Sequence, residues 1–169
     1  MTDLLWAPWR LEYIKSVADG PKDGFLCRLA KDTDKDEDNL VIARSGRCLL
    51  ALNRFPYVNG HLLVAPYRHV AQLGDTEPAE RAEMMELMVY GQSLLEAAMN
   101  PQGFNMGFNL GRCAGAGVPG HVHGHVVPRW GGDINFMSVV GGVRIIPQAL
   151  ENAYKMLRAE HQKKRPESL

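Results

Sequence analysis

Short apolar runs bounded by turn residues recur along the chain and predict β-strands. Three of them are residues 40–43, 48–52 and 61–65, and Ser45-Gly46 between the first two predicts a hairpin turn. Residues 104–110 alternate strictly between apolar and polar side chains, which predicts a fourth strand with one apolar face. Residues 121–127 also alternate, end before Pro128 and predict the fifth strand.

Two segments have the spacing of amphipathic helices. The first follows Thr76, a candidate N-cap, has Pro78 in its first turn and ends at Asn100-Pro101. The second follows Pro147, and its apolar positions recur at i, i+3, i+4 and i+7: Leu150, Ala153, Tyr154 and Leu157. Residues 161–169 are predicted to be a frayed tail. The elements together predict an α+β fold with a mainly antiparallel, five-stranded sheet and two helices.

Composition bounds the classes of protein that this chain can belong to. Its 169 residues suggest one domain, divided into an arm and charged loop (1–38), a core (39–133) and a C-terminal segment (134–169). Lys plus Arg and Asp plus Glu both number 19, which argues against nucleic-acid binding by bulk charge. No apolar run reaches 18 residues, so we expect no membrane span. Three scattered cysteines without a C-x-x-C pair favour a cytoplasmic location.

The first residues of the chain are too aromatic for a solvated tail. Trp6, Trp9 and Tyr13 lie within eight positions of one another. Since exposed aromatic side chains are costly, the segment is interpreted as an arm packed on the body or on a partner subunit. An arm that contacts substrate is the alternative.

Half of the six histidines fall within five residues, at His121, His123 and His125. On a strand, alternating residues share one face at a spacing of about 6.5–7 Å. Packing alone explains such a trio poorly, because every buried imidazole needs hydrogen-bond partners. Two functional interpretations therefore compete: a metal site, and covalent catalysis by a histidine.

A metal site needs further ligands, and these are scarce near the trio. The segment between Glu96 and Asp133 contains no carboxylate, although His61 or His69 could complete an all-histidine site. Covalent catalysis at phosphorus needs only a neutral imidazole, which dominates at pH 7 because its pKa is about 6.5. Neighbouring imidazoles could then hold the tautomer of the nucleophile and donate hydrogen bonds to phosphate oxygens.

The pattern His-x-His-x-His, followed by two apolar residues, resembles the signature of the histidine triad nucleotide hydrolases and transferases. The segments 53–56 and 60–66 resemble the nucleoside-binding strand pair of that family, and Asn109-x-Gly111 resembles its phosphate-side segment. The resemblance covers residues 39–133. The flanks, 6–14 and 128–137, resemble the bacterial branch close to diadenosine tetraphosphate phosphorylases, which are similar to fragile-histidine-triad members.

The resemblance implies roles for four histidines. His123 would attack the α-phosphorus and carry a nucleotidyl intermediate. His125 would hydrogen-bond the phosphate or the bridging oxygen, while His121 and His61 would fix tautomer and charge. A core role for His61 is the alternative.

The same resemblance implies substrate contacts outside the trio. Asn53 would contact the ribose hydroxyls and Asn109 a phosphate oxygen, whereas the alternatives are a turn cap and a solvated side chain. Gly111 and Gly117 belong to a glycine-rich loop whose N–H groups could cradle phosphate. Arg129 is either a solvated charge or a partner for polyphosphate, and Trp130 is predicted to pack in the core or at a dimer interface rather than to stack on a base.

The chain departs from the family pattern at three places. Gly124 occupies a position that is usually apolar, and residues 117–119 lack the Gln or Ser that often precedes the triad. Some family members hold zinc with a C-x-x-C pair, but Cys27 has Gly24 and Ala30 at the partner positions. We therefore expect no metal site.

The resemblance finally implies a function and an assembly. The substrate would be a nucleotide or a dinucleoside polyphosphate such as diadenosine tetraphosphate, and phosphate or water would accept the nucleotidyl group. No cofactor is expected beyond a divalent cation that enters with the substrate phosphates. Two chains would form a homodimer whose sheets pair edge to edge. A non-catalytic nucleotide-binding module and an all-histidine metal-dependent hydrolase are the alternative functions.

Overall fold

The computed structural model describes residues 24–133 and 148–164, which form three α-helices and one five-stranded sheet. In chain order the elements are α1 (Gly24–Lys31), β1 (Val41–Arg44), β2 (Cys48–Leu52), β3 (Leu62–Pro66), α2 (Pro78–Met99), β4 (Gly103–Phe108), β5 (Gly124–Arg129) and α3 (Leu150–Lys164). The predicted Trp6–Tyr13 arm and Pro147 lie outside the described residues.

All five strands pair antiparallel in the order β1-β2-β3-β5-β4. This confirms the α+β class and the five-stranded antiparallel sheet. The hairpin turn at Ser45 is also confirmed, since the Ser45 N–H donates to the Cys48 carbonyl over 2.9 Å. Every residue of β2 and β3 is buried, as expected for central strands that are apolar throughout.

Four details of the secondary structure differ from the sequence prediction. Helix α1 was missed because eight residues are too few to show a clear period, and α3 continues through Lys164 where a frayed tail was expected. The N-cap of α2 is Glu77, not Thr76, because Glu77 and Glu80 form a reciprocal capping box. Strand β5 begins at Gly124 rather than at residue 121.

Each face of the sheet is covered by a separate layer. Helices α2 and α3 pack with one face in the larger core, and α1 packs against the other face. At Gly91 in the middle of α2 the sheet comes so near that an added Cβ would lie 3.0 Å from Leu62 Cδ1. Gly60 has φ of +75°, and a Cβ there would lie 2.8 Å from Leu95 Cδ2, so glycine is needed just before His61.

The two edge strands of the sheet differ in what contacts them. At the β1 edge, the Tyr154 hydroxyl donates to the Val41 carbonyl over 3.1 Å and the Arg158 guanidinium donates to the Ile42 carbonyl over 2.6 Å. At the other edge, β4 pairs only with β5 in the described part of the chain. The predicted apolar face there is confirmed in part, because Phe104 and Phe108 pack on the core while Met106 is 38% exposed.

None of the helices in the described part of the chain combines the length and the apolar character needed to cross a membrane.

Candidate active site

Two of the three triad histidines, His125 and His123, follow His61 in a row along the paired strands β3 and β5. The ring centroids of His123 and His125 lie 4.9 Å apart, and those of His61 and His125 lie 5.1 Å apart. His125 belongs to β5, opposite Leu63 of β3. His121 and His123 precede the strand, so the prediction that all three project from one regular strand is wrong. The residues before Gly124 leave the ladder and are held instead by the Val122 N–H, which donates to the Val70 carbonyl.

A main-chain N–H group fixes the protonation of His61 and, through it, that of His125. The Tyr57 N–H can only donate, and it contacts His61 Nδ1 at 3.1 Å. His61 Nε2 must therefore carry the proton, which it donates to His125 Nδ1 over 2.9 Å. His125 Nδ1 is then an acceptor, so its Nε2 carries a proton that points out of the pair. This arrangement presents His125 as a hydrogen-bond donor.

A main-chain carbonyl fixes the opposite tautomer on His123. Its Nδ1 lies 2.8 Å from the carbonyl oxygen of His121, and a carbonyl can only accept. The proton of neutral His123 is therefore on Nδ1, and the Nε2 lone pair is available for attack. The site thus combines a nucleophilic nitrogen with a neighbouring N–H donor.

Burial keeps these imidazoles neutral. It lowers the pKa of His61 to about 3 and that of His125 to about 4, and the neighbouring imidazoles add to both effects. Burial also lowers the pKa of His123 and His121, against the raising effect of their carbonyl partners. The lowered pKa favours the neutral form of His123, which keeps a lone pair on Nε2.

Asn53 reaches this group by bridging a turn. Its Oδ1 accepts from the Phe55 N–H at 3.0 Å, and its Nδ2 lies 3.1 Å from His61 Nδ1. The turn cap that was the alternative to ribose binding is therefore present, and it places the amide beside the histidine pair. The contact with ribose stays a prediction.

Asn109 faces the outer nitrogen of His125 from the end of β4. Its side-chain amide lies 3.3 Å from His125 Nε2 and 3.5 Å from the Tyr57 hydroxyl. Gly111 and Gly117 lie in the loop that follows, where Gly111 has φ of +83°. The sequence prediction that Asn109 lies on the side of the reacting phosphate is compatible with these contacts and stays a prediction.

Gly124 lies between His123 and His125 in the sequence and faces the opposite side of the sheet. An added Cβ would lie 2.9 Å from Met88 Sδ and 3.1 Å from the Phe108 ring. Met88 of α2 and Phe108 of β4 therefore occupy the space that a side chain on residue 124 would need.

The ring of His121 belongs to a different cluster. Its Nε2 donates to the Pro66 carbonyl over 2.9 Å, which leaves its Nδ1 lone pair directed to Cys27 Sγ at 3.4 Å. His69 Nδ1 lies 3.0 Å from the same sulfur. Sequence reasoning set Cys27 aside because no second cysteine lies three residues away, and did not foresee two histidine partners distant in the sequence.

These three side chains have the chemistry of zinc ligands. Their donor atoms all lie within 4.8 Å of one another, and the Pro66 carbonyl orients His121 as outer partners of ligating histidines do. They fit a site with three protein ligands; bound there, a zinc ion would link α1 to the segments that carry His69 and His121. The sequence prediction of no metal rested on the missing second cysteine and stays a prediction.

Two further candidates from the sequence lie away from the imidazoles. Arg129 forms an ion pair with Asp133 and also donates to Asn105, so its charge is already compensated. Trp130 lines a cavity of about 420 Å³ with residues of α2 and α3, and its role in packing stays a prediction.

Comparison with known proteins agrees with this architecture. Residues 34–132 match the family described as HIT domain. The chain is 38% identical over 161 residues to the AP-4-A phosphorylase of Mycobacterium tuberculosis strain H37Rv, covering 92% of this chain and 83% of that protein. It is 34% identical over 89 residues to the asymmetrical bis(5'-nucleosyl)-tetraphosphatase of Schizosaccharomyces pombe, covering 53% and 48%.

A solved structure extends the similarity to three dimensions. A zinc-bound histidine triad family protein from Mycobacterium smegmatis superposes with a TM-score of 0.64 at 27% identity. The match covers 81% of this chain and 91% of that one.

The buried imidazoles predict a loss of stability in mild acid. Unfolded histidines bind protons near pH 6.5, whereas His61 and His125 in the folded protein do so only near pH 3 and 4. The free energy of unfolding should fall as pH drops below about 6.5, by about 1.4 kcal/mol per pH unit for each such histidine. Urea denaturation between pH 7 and 5 measures this slope.

His125→Asn provides the matched comparison. The slope should be shallower in this variant, because one proton-binding site of the unfolded state is gone while all carboxylates remain. Equal slopes in the two proteins would contradict the assignment.

Proposed function

This chain belongs to the HIT-domain, or histidine triad, family, and from that premise we propose that it cleaves the α–β phosphoanhydride of dinucleoside polyphosphates through a nucleotidyl group on His123. The chain is a HIT-family phosphorylase or hydrolase of nucleotides. The observation that carries the covalent step is the carbonyl of His121, which holds the proton of His123 on Nδ1 and leaves Nε2 for attack.

The first step is a displacement at the α-phosphorus. The Nε2 lone pair of His123 forms a bond to phosphorus while the bond to the bridging oxygen breaks, and the polyphosphate leaves as an anion. His125 Nε2–H donates a hydrogen bond to that departing oxygen. The positive charge on the His123 ring is stabilised by the His121 carbonyl, which accepts from Nδ1–H over 2.8 Å.

The second step transfers the nucleotidyl group to an acceptor. The oxygen of the acceptor bonds to phosphorus as the N–P bond breaks, and the electron pair returns to His123 Nε2. With inorganic phosphate the product of an adenylyl group is ADP; with water it is AMP. From diadenosine tetraphosphate, the first step releases ATP in both cases.

The hydrogen bonds of the four histidines favour phosphate as the acceptor. None of their partners in the described part of the chain is a carboxylate, and His125 Nε2 already carries a proton. A water molecule needs a base to take its proton, whereas a phosphate dianion attacks without losing one. The similarity to a protein named AP-4-A phosphorylase supports the same choice.

We propose that this chemistry uses no protein-held metal at the reacting histidines. The nitrogens of His61 and His125 that face each other are joined by a hydrogen bond of 2.9 Å, which argues against a shared ion between them. A divalent cation would enter only with the substrate phosphates. Activity that persists after removal of tightly bound metal would separate this proposal from a metal-dependent hydrolase.

We also propose a homodimer in which the β4 edges of two chains pair. The β1 edge is already capped by α3, whereas in residues 24–133 and 148–164 β4 pairs with β5 alone and carries an exposed apolar side chain, Met106. Pairing would satisfy its outer main-chain groups and bury that side chain. A cytoplasmic location stays a prediction.

Removing the nucleophile should abolish turnover while leaving substrate binding. We expect His123→Asn to lower turnover of diadenosine tetraphosphate by on the order of 10⁴-fold, as loss of a covalent nucleophile does. Rapid acid-free quenching with substrate labelled in the α-phosphate should leave label on the wild-type protein but not on this variant. Label on neither protein, with substrate bound by both, would favour a non-catalytic binding module.

The products identify the acceptor. With inorganic phosphate present, we expect one ADP and one ATP from each diadenosine tetraphosphate, and little turnover when phosphate is left out. Chromatography of the products with and without phosphate measures both. AMP and ATP formed equally fast in the two buffers would show a hydrolase instead.

A charge on the exposed edge should prevent dimerisation. We expect Met106→Glu to be monomeric at micromolar concentration where the unmodified chain is dimeric, because the carboxylate would be buried where the two β4 edges pair. Analytical ultracentrifugation measures the mass. Met85→Glu, at an exposed methionine of α2, should stay dimeric; a monomeric unmodified chain would overturn the proposal.

A further inference from the structure

Tyr57 lies against both members of the hydrogen-bonded pair formed by His61 and His125. Its N–H sets the tautomer of His61, and its ring lies 4.5 Å from the His61 ring and 5.8 Å from the His125 ring, centroid to centroid. The ring is nearly parallel to that of His125, at 24°. The side chain is 39% exposed, so it forms part of the open side of the site. No motif of the sequence pointed to it.

The side-chain amide of Asn109 shows where the Tyr57 hydroxyl is directed. The position of Asn109 Nδ2 lies 3.3 Å from His125 Nε2 and 3.5 Å from the Tyr57 hydroxyl. His125 Nε2 carries a proton, because its Nδ1 accepts from His61. An amide nitrogen cannot accept that proton, so the atom facing His125 must be the carboxamide oxygen; the two ends of an amide are assigned from such networks.

One oxygen atom therefore faces two donors, His125 Nε2–H and, at the long end of hydrogen-bond range, Tyr57 O–H. This is the position that the departing oxygen of the substrate occupies next to His125 in the first step above. Asn109 lies at the end of β4 and is half-buried, so its side chain can turn aside. A phosphate oxygen in place of its carboxamide oxygen would meet the same two donors.

We infer that the Tyr57 hydroxyl is a second catalytic donor, which together with His125 binds the oxygen of the departing polyphosphate. The inference rests on the proposed function, since it assigns a partner to the leaving group of that reaction. In the step itself the bond between the α-phosphorus and the bridging oxygen breaks, and its electron pair goes to that oxygen. The tyrosine keeps its proton and stabilises the charge by hydrogen bonding.

The composition of the neighbouring loop gives this hydroxyl its importance. Residues 117–119 are Gly, Val and Pro, so they offer no hydroxyl or amide side chain to the departing phosphates. Tyr57, in the turn between Asn53 and His61, supplies a side-chain donor that this loop lacks.

Tyr57→Phe removes the hydroxyl alone, because the ring and the N–H to His61 remain. The experiment measures the rate at which label appears on His123 in a single turnover with diadenosine tetraphosphate. We expect a roughly 10- to 100-fold slower rate, the effect of losing one hydrogen bond to a charged group. Tyr90→Phe, which removes a hydroxyl bonded to His161 between α2 and α3, should keep the original rate.

A second substrate separates a contact to the leaving group from a structural role. The 4-nitrophenyl ester of AMP disperses the charge of its departing oxygen into an aromatic ring and needs less hydrogen bonding. With this ester, Tyr57→Phe should slow labelling by less than about threefold, since a weakly charged acceptor gains little from one more donor.

Different results would contradict the role of the Tyr57 hydroxyl and the proposed function on which it rests. Unchanged labelling by Tyr57→Phe with both substrates, or equal slowing with both, would overturn the role of the hydroxyl. Absence of label on the unmodified protein with either substrate would overturn the proposed function instead.

Discussion

The site depends on main-chain groups that decide which nitrogen of each imidazole holds its proton. The Tyr57 N–H makes His61 a donor to His125, and the His121 carbonyl leaves the outer nitrogen of His123 bare. Because a peptide N–H cannot accept and a carbonyl cannot donate, these assignments do not change with the solvent around the site. Two chemically identical side chains in this way present a free lone pair and a hydrogen-bond donor, with ring centres less than 5 Å apart.

Burial is the second condition for this division of roles. A charged imidazole has no lone pair to attack with and would break the chain of hydrogen bonds from His61 to His125. The sheet and helices around the site disfavour that charge, which lowers the pKa of His61 to about 3 and that of His125 to about 4. The same lowered pKa values reduce the free energy of unfolding in acid.

The sequence predicted what depends on local pattern and missed what depends on position in space. Apolar runs and turn residues identified β2 and β3, which are buried over their whole length, and periodic spacing identified the long helix. Alternation at residues 121–127 suggested one continuous strand, whereas the contact of Val122 with Val70 holds the first three residues outside the ladder. Tyr57 gave no signal, and Cys27 was set aside for want of a second cysteine nearby, because the partner of each is a histidine at least four residues away along the chain.

The tight fit at Gly124 links three positions that are far apart in the sequence. Met88 from α2 and Phe108 from β4 occupy the space where a side chain on residue 124 would lie. A side chain on residue 124 therefore requires Met88 Sδ to move aside and the Phe108 ring to shift, so the size of residue 124 is coupled to the packing of α2 and β4 on the far face of the sheet.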